Sequence, residues 1–453
     1  MILFYILLLS LPFVDHGLFG MTFGSLTLEK IIGALCFLYA LTYLPRRREL
    51  PMLFSSAQAK AFAFYVAIAV ISYVTTAEEI VFIDMVGIFL SQFLFFIAVM
   101  ILVDSRERLE TTVLMVTASI GIVSLYLIKE WLGNVGAYGL SYRPGWVAGD
   151  PNMFSASALI VLPMMMCPIR FAPRWWQRAG AAFSLVVTLI AFVLAASRGG
   201  FIGLVCMFLW QLHDMRRRVI AVLVFAAILA VAFVSPYSPL DRLIKPNESD
   251  LESSNIRLQL WSVSGKIFHD HPVFGVGLYN FPTYMHKYLP PGVDLDFVVP
   301  HNTYLEAAVE LGAVGLAFFL SVMGFSLWSL ARMRRMAVAA KDAYYTLLST
   351  SVGSGIVGFG AAAMFLSAKH AKLFWFAVFL SACMQPLVEQ SLNATQAKEA
   401  DEATAASTAV LPPVPAALPA VPAALPVESA PLPQEAATSE PTPIRVGNWL
   451  TRH

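Results

Sequence analysis

Arg198, Arg257 and His301 are the side chains of this sequence whose types and settings could do chemistry. Arg198 stands alone between two apolar runs, after Ser197 and before the paired glycines Gly199 and Gly200. An arginine costs about 2.5–3.5 kcal/mol at the centre of a bilayer, so it must sit near an interface or face a polar cavity. Arg257 lies in a segment where Ile256, Leu260 and Val263 share one face at helical spacing, with Trp261 suited to an interface. Alone it reads as a headgroup or solvent contact, but beside Arg198 it becomes the second half of a clamp. Guanidinium groups bind phosphate oxygens two at a time and stay charged at any working pH, as a diphosphate leaving group requires. His301 follows Pro300 at the start of an apolar run. Imidazole is the group best matched to proton transfer near neutral pH, while a polar cap at the membrane edge is the alternative reading. Asn302 and Thr303 behind it are suited to capping the helix that begins there.

Other polar residues carry weaker signals. Glu306 and Glu310 follow at helical spacing; the helix dipole accounts for the first, and the deeper Glu310 needs a partner, conceivably an arginine. Gly312 and Gly315 would let that helix pack closely. Asp150-Pro151-Asn152 is a turn and cap entering an apolar run, with Asp150 and Arg143 candidates for a polar pocket. His269-Asp270-His271 shows no third metal ligand. Gly275-Val276-Gly277 lacks the flanking strand and helix of a dinucleotide site and reads as a tight turn.

The elements that position these residues are set by composition. The chain is 58% hydrophobic and 13% charged, with a mean hydropathy of +0.70, against about 25% charged residues in soluble proteins. Its apolar runs approach or exceed the roughly 17–25 residues that a bilayer asks of a helix. The expectation is an all-α polytopic membrane protein. The net charge of +1 and the lack of a basic, aromatic-interleaved patch point away from nucleic acid. Cys36, Cys167, Cys206 and Cys383 all lie inside apolar runs, as packing residues do.

Placing the basic clusters near Arg47, Arg106, Arg174, Arg217 and Arg334 in the cytoplasm gives about twelve spans that alternate without violation. The first, Ile2 to about Phe13, is retained rather than cleaved. The scheme needs Ser197-Arg198-Gly199-Gly200 to be a turn at the opposite face. It puts both termini inside, and it puts Lys129–Asn152 and the long loop of residues 236–302 outside. The membrane part spans residues 1–392. Residues 393–453 form an Ala/Pro-rich cytoplasmic tail in which recurrent proline forbids a continuous helix, so disorder is expected.

Several of these features together resemble the bacterial O-antigen ligase/polymerase superfamily. They are the arginine after serine at a span break, the arginine-plus-tryptophan segment, Pro272-Val273-Phe274-Gly275-Val276-Gly277 with Phe281, and His301-Asn302 followed by Tyr304, Leu305, Glu310, Gly312 and Gly315. The similarity covers about Ala181–Leu320, and the Asp150-Pro151-Asn152 turn resembles members found near exopolysaccharide genes. The resemblance implies an all-helical membrane glycosyltransferase in the bacterial inner membrane, active on its periplasmic face. The implied donor is a glycan on undecaprenyl diphosphate, and the implied acceptor is a hydroxyl on a lipid core, a glycan or a protein. No cofactor, nucleotide sugar or metal is implied. By position, Arg198 and Arg257 would hold the diphosphate and His301 would take or orient the acceptor proton, with Asn302, Glu310, Asp150 and Arg143 in support. Transfer would be in line and inverting. Ligase, repeat-unit polymerase and protein O-oligosaccharyltransferase all fit. An anion or solute transporter is the alternative of another class, but the inverted repeats expected of one are not evident.

Overall fold

A computed structural model describes residues 1–13, 22–23, 26–43, 55–72, 82–140, 142–145, 149–212, 248–290 and 299–409. The described residues are helical apart from turns and a hairpin of two-residue strands, β1 (Thr22–Phe23) and β2 (Leu26–Thr27). In chain order the helices are α1 (Ile2–Ser10), α2 (Leu28–Leu41), α3 (Ala57–Ile71), α4 (Phe82–Leu102), α5 (Arg106–Tyr138), α6 (Pro151–Val161), α7 (Met166–Phe171), α8 (Trp175–Leu194) and α9 (Arg198–Leu212). They continue as α10 (Glu248–Asp270), α11 (Phe281–Tyr288), α12 (Thr303–Ala339), α13 (Ala343–Ala362) and α14 (Lys372–Ala409), with a 3-10 turn at Ala363–Phe365.

The protein is a polytopic all-α membrane protein. Six segments among the described residues are long and apolar enough to cross a bilayer: Arg106–Tyr138, Pro151–Phe171, Trp175–Leu194, Thr303–Ala339, Ala343–Phe365 and Lys372–Glu402. Shorter apolar helices stand at Ala57–Ile71, Gly87–Leu102 and Arg198–Leu212. The apolar run at residues 219–234 lies outside the described residues, as do the basic clusters near Arg47 and Arg217.

Aromatic side chains from α3, α4, α12 and α14 cluster in one part of the core. Trp375 is fully buried, with the rings of Phe62, Tyr65 and Phe374 at 4.8, 5.6 and 5.1 Å. Between helices in a bilayer such rings stabilise the bundle through close packing, since lipid tails are as apolar as the core. α9 and α13 cross so closely that a Cβ at Gly203 would lie 2.5 Å from the Gly358 carbonyl oxygen. Small residues permit this backbone approach between membrane helices.

The two ends of the bundle differ in chemistry. At one end Arg106 begins α5 and donates to Asp342 at 2.7 Å, between α12 and α13. Phe171 packs edge-on to Tyr344 there, next to the basic Arg170–Arg178 segment. At the other end of α5, Glu130 accepts from the Tyr142 hydroxyl at 2.7 Å and from the Gly145 amide, which flank Arg143. α8 and α9 meet at this second end too, because Arg143 donates to the Ala195 carbonyl at 2.9 Å. The described basic clusters and the Ser197–Gly200 break therefore lie at opposite ends, as the charge pattern requires.

Gly312 and the start of the tail both differ from the sequence-based expectation. Gly312 does not serve helix packing; it breaks α12 with φ 69° and ψ −171°, a conformation essentially restricted to glycine. At the break the helix exchanges partners with the segment Pro272–Gly277. Ala313 and Val314 amides, which a continuous helix would aim at Val309 and Glu310, donate instead to Pro272 and Val273 at 2.8 and 3.3 Å. The freed carbonyls of Val309 and Glu310 accept from Val276 and Gly277, both at 2.9 Å. A Cβ at Gly312 would lie 2.1 Å from the Val273 oxygen, and one at Gly275 would lie 2.4 Å from the Val309 oxygen. The glycine motif is thus a backbone latch. It holds α10 and α11 on α12 through Leu260, Val263, Ile267, Phe281 and Met285, all buried together with Val309. Gly312→Ala is expected to cost more than about 3 kcal/mol, since strain alone reaches that scale; thermal unfolding in detergent would read it as a clear drop in midpoint.

The second difference is the start of the tail. The chain divides into Met1–Glu399 and Ala400–His453, and α14 continues past residue 393 to Ala409. Residues 393–409 hold several alanines and no proline, and the prolines begin at Pro412. Helix propensity therefore persists after hydropathy has fallen. Lys341 donates to Glu399 at 2.9 Å, and Ser391 donates to Asp342 at 3.1 Å. Residues 410–453 lie outside the described residues.

Candidate functional site

The site is built around the break between α8 and α9. α8 stops at Leu194, Ala196 takes φ 46°, and Ser197 starts α9 as its cap, accepting from the Gly200 amide at 3.1 Å. Arg198 is thereby the first residue of α9, at an end whose free amides and dipole already favour an anion.

Arg143, Asn152, Ser197, Arg198, Gly199, Gly200, Ser253 and Arg257 line one cleft, with Ala362, Phe365 and Leu366 as its apolar wall. Three arginines that are far apart in sequence thus share one cleft. Each is held. Arg143 donates to the Ala195 carbonyl at 2.9 Å and to Asn152 Oδ1 at 3.0 Å. The same Asn152 oxygen accepts from Ser197 at 2.9 Å. Arg198 lies 3.7 Å from the buried carboxylate of Asp250 at the start of α10. Arg257 reaches the cleft because its helix is docked one turn further on, where the Trp261 indole donates to the Pro300 carbonyl at 3.0 Å.

That hydrogen bond also ties Arg257 to the residue before His301. His301 adopts φ 49°, an uncommon conformation outside glycine that turns the chain into α12. Burial and the charge of Arg257 lower its pKa from the usual 6.5, against weaker upward pulls from Asp150 and Glu306. The shift favours the neutral imidazole, the form that can accept a proton.

The other expected site residues divide by role. Asn302 caps α12, accepting from Tyr304 and Leu305 amides at 3.0 and 3.1 Å. Asp150 caps α6 by accepting from the Asn152 amide at 2.7 Å, which fixes the asparagine that Arg143 and Ser197 share. Glu310 does have a basic partner, but that partner is Lys369 and not an arginine. His269 and Asp270 pair at 3.1 Å, Tyr288 donates to Asp270 at 2.8 Å, and the His271 ring packs against Tyr284.

Asn152, Ser253, Asp250 and Lys369 belong to this end of the protein and were not singled out by sequence reasoning. Asn152 sits in a turn that was read only as a cap. Lys369 did carry a signal: with His370 it is a polar pair between two apolar runs, the same setting as His301.

Residues 183–320 match the O-antigen ligase family. The matched segment holds Arg198, Arg257 and His301, while Arg143, Asn152 and the wall at Phe365 and Leu366 come from outside it. No curated protein matches the chain.

Proposed function

We propose that this chain, which belongs to the O-antigen ligase/polymerase superfamily through residues 183–320, transfers a glycan from undecaprenyl diphosphate to an acceptor hydroxyl on the periplasmic face of the inner membrane. Its role in glycan assembly follows from the family; the donor, the acceptor and the stereochemistry are the proposal. Arg198 and Arg257, with Arg143 and the start of α9 behind them, take the diphosphate. His301 removes the acceptor proton as its oxygen attacks the anomeric carbon. The bond from that carbon to the diphosphate oxygen breaks, and undecaprenyl diphosphate leaves with the electron pair. Attack opposite the leaving group inverts the anomeric centre. Charge developing on the diphosphate meets fixed guanidinium groups that need no rearrangement in the transition state.

The observation that supports this reading most is the convergence of Arg143, Arg198 and Arg257 on one cleft, with His301, which is not among the lining residues, near enough to Arg257 to feel its charge. The position of the cleft at the end opposite the described basic clusters supports the periplasmic assignment. The test is a deletion strain examined for surface glycans. Loss of a capped lipid core indicates ligase, shortened chains indicate polymerase, and unglycosylated protein indicates the oligosaccharyltransferase. Unchanged glycans of all three kinds would contradict the proposal.

A further inference from the structure

Behind the site lies an ion cluster that the transfer mechanism leaves unused. Lys369, in the short connection between the 3-10 turn and α14, is 1% exposed and points between two carboxylates that are equally buried. Its ammonium donates to Glu306 at 2.9 Å and also pairs with Glu310, one turn further along α12. The same nitrogen stands 5.4 Å from the centre of the Tyr279 ring, which follows the latched segment of the external loop. An ion cluster with this burial is costly to desolvate and adds little net stability over an apolar replacement, whereas removing one member is severe. Its presence calls for a reason other than stability.

The connectivity supplies one. The connection carrying Lys369 begins at Phe365 and Leu366, which wall the arginine cleft. Thr303, two residues after His301, donates to the Leu366 carbonyl at 2.6 Å and accepts from the Ala368 amide at 3.0 Å. The Trp375 indole closes the other side by donating to the Lys369 carbonyl at 2.8 Å. The cleft wall and the start of α12 are therefore joined at Thr303, and one turn deeper they are joined again by Lys369. Two attachments fix a direction, where one would leave a pivot.

We propose that Lys369 is a positioning residue: by bridging Glu306 and Glu310 it sets the register between the first turns of α12, which directly follow His301, and the Phe365–Leu366 wall of the diphosphate cleft. This rests on the function proposed above. The bridge acts on the distance between base and donor and not on the arginines, so its loss lowers turnover while donor affinity is kept. A displacement on the scale of 1 Å costs up to about a hundredfold.

Lys369→Met alone strands two buried carboxylates and is expected to unfold the protein. The informative variant is the neutral triple replacement, Lys369→Met with Glu306→Gln and Glu310→Gln, compared with the unaltered full chain in detergent. Two quantities are read: steady-state transfer kinetics, and amide hydrogen exchange of peptides covering residues 301–306 and 366–371. The expected result is a fall in kcat of about tenfold to a hundredfold, donor KM within about twofold, and faster exchange confined to those two peptides. Unchanged exchange overturns the proposal whatever the kinetics. So does faster exchange with an unaltered kcat, or a loss carried entirely by KM. If the unaltered chain transfers no glycan, the functional reading fails instead, and the exchange measurement alone decides whether the bridge sets the register.

Discussion

Arg198→Lys is expected to reduce glycan transfer by at least about a hundredfold, the scale of losing one preorganised donor to developing charge, with the protein inserted and folded as before. Lysine keeps the charge, so the effect isolates geometry. A guanidinium at the first position of α9 can present two parallel N–H donors to one diphosphate while remaining beside Asp250 at 3.7 Å. An ammonium is a point charge on a flexible stem and cannot do both. Because Arg198 is partly exposed at the cleft, with 19% of its side chain accessible, the substitution strands no fully buried charge apart from a weakened contact to Asp250. Equal amounts of detergent-extracted protein with near-normal transfer would remove the clamp from the account.

His301→Asn is expected to cost roughly 10²–10⁴-fold in turnover, the range of a lost general base. Asparagine is chosen because the position has φ 49°, which asparagine tolerates better than other residues; the entry into α12 is then preserved while the proton acceptor is removed. The unaltered protein should show a matching pH dependence. Burial and Arg257 lower the folded pKa of His301 below 6.5. Activity should therefore be level through neutral pH and fall only as pH drops through that lowered value, where the imidazole is protonated. An acid limb with its midpoint above 6.5 would contradict the assignment, since it would require a group whose pKa is raised.

The parts of this site that were legible in the sequence share one property: each is a polar residue set against apolar sequence, where contact with the bilayer would penalise it. Arg198 between apolar runs, Arg257 on an amphipathic face and His301 ahead of a span stand out against 58% hydrophobic composition. That penalty is local and needs no knowledge of partners. The break at Gly312 was not legible. A glycine in a helical pattern reads as a packing residue, and only the carbonyls of Pro272 and Val273 reveal that the helix changes partners there. Glu310 could be read as needing a cation, but the choice of Lys369 depends on how the connection ahead of α14 packs against α12. α5 extends to Tyr138, into the segment Lys129–Asn152 that the charge pattern placed outside, because helix formation continues after hydropathy falls. The same reasoning moves the end of α14 to Ala409.

The central claim is that the arginine cleft holds the diphosphate of the lipid carrier. It is tested most directly by measuring binding of undecaprenyl diphosphate, without glycan, to purified full-length protein in detergent. Saturable binding by the unaltered chain, lost when Arg198 and Arg257 are both replaced by alanine and kept in His301→Asn, is the predicted result. Equal affinity in the double-alanine protein, or loss of binding in His301→Asn, would contradict it.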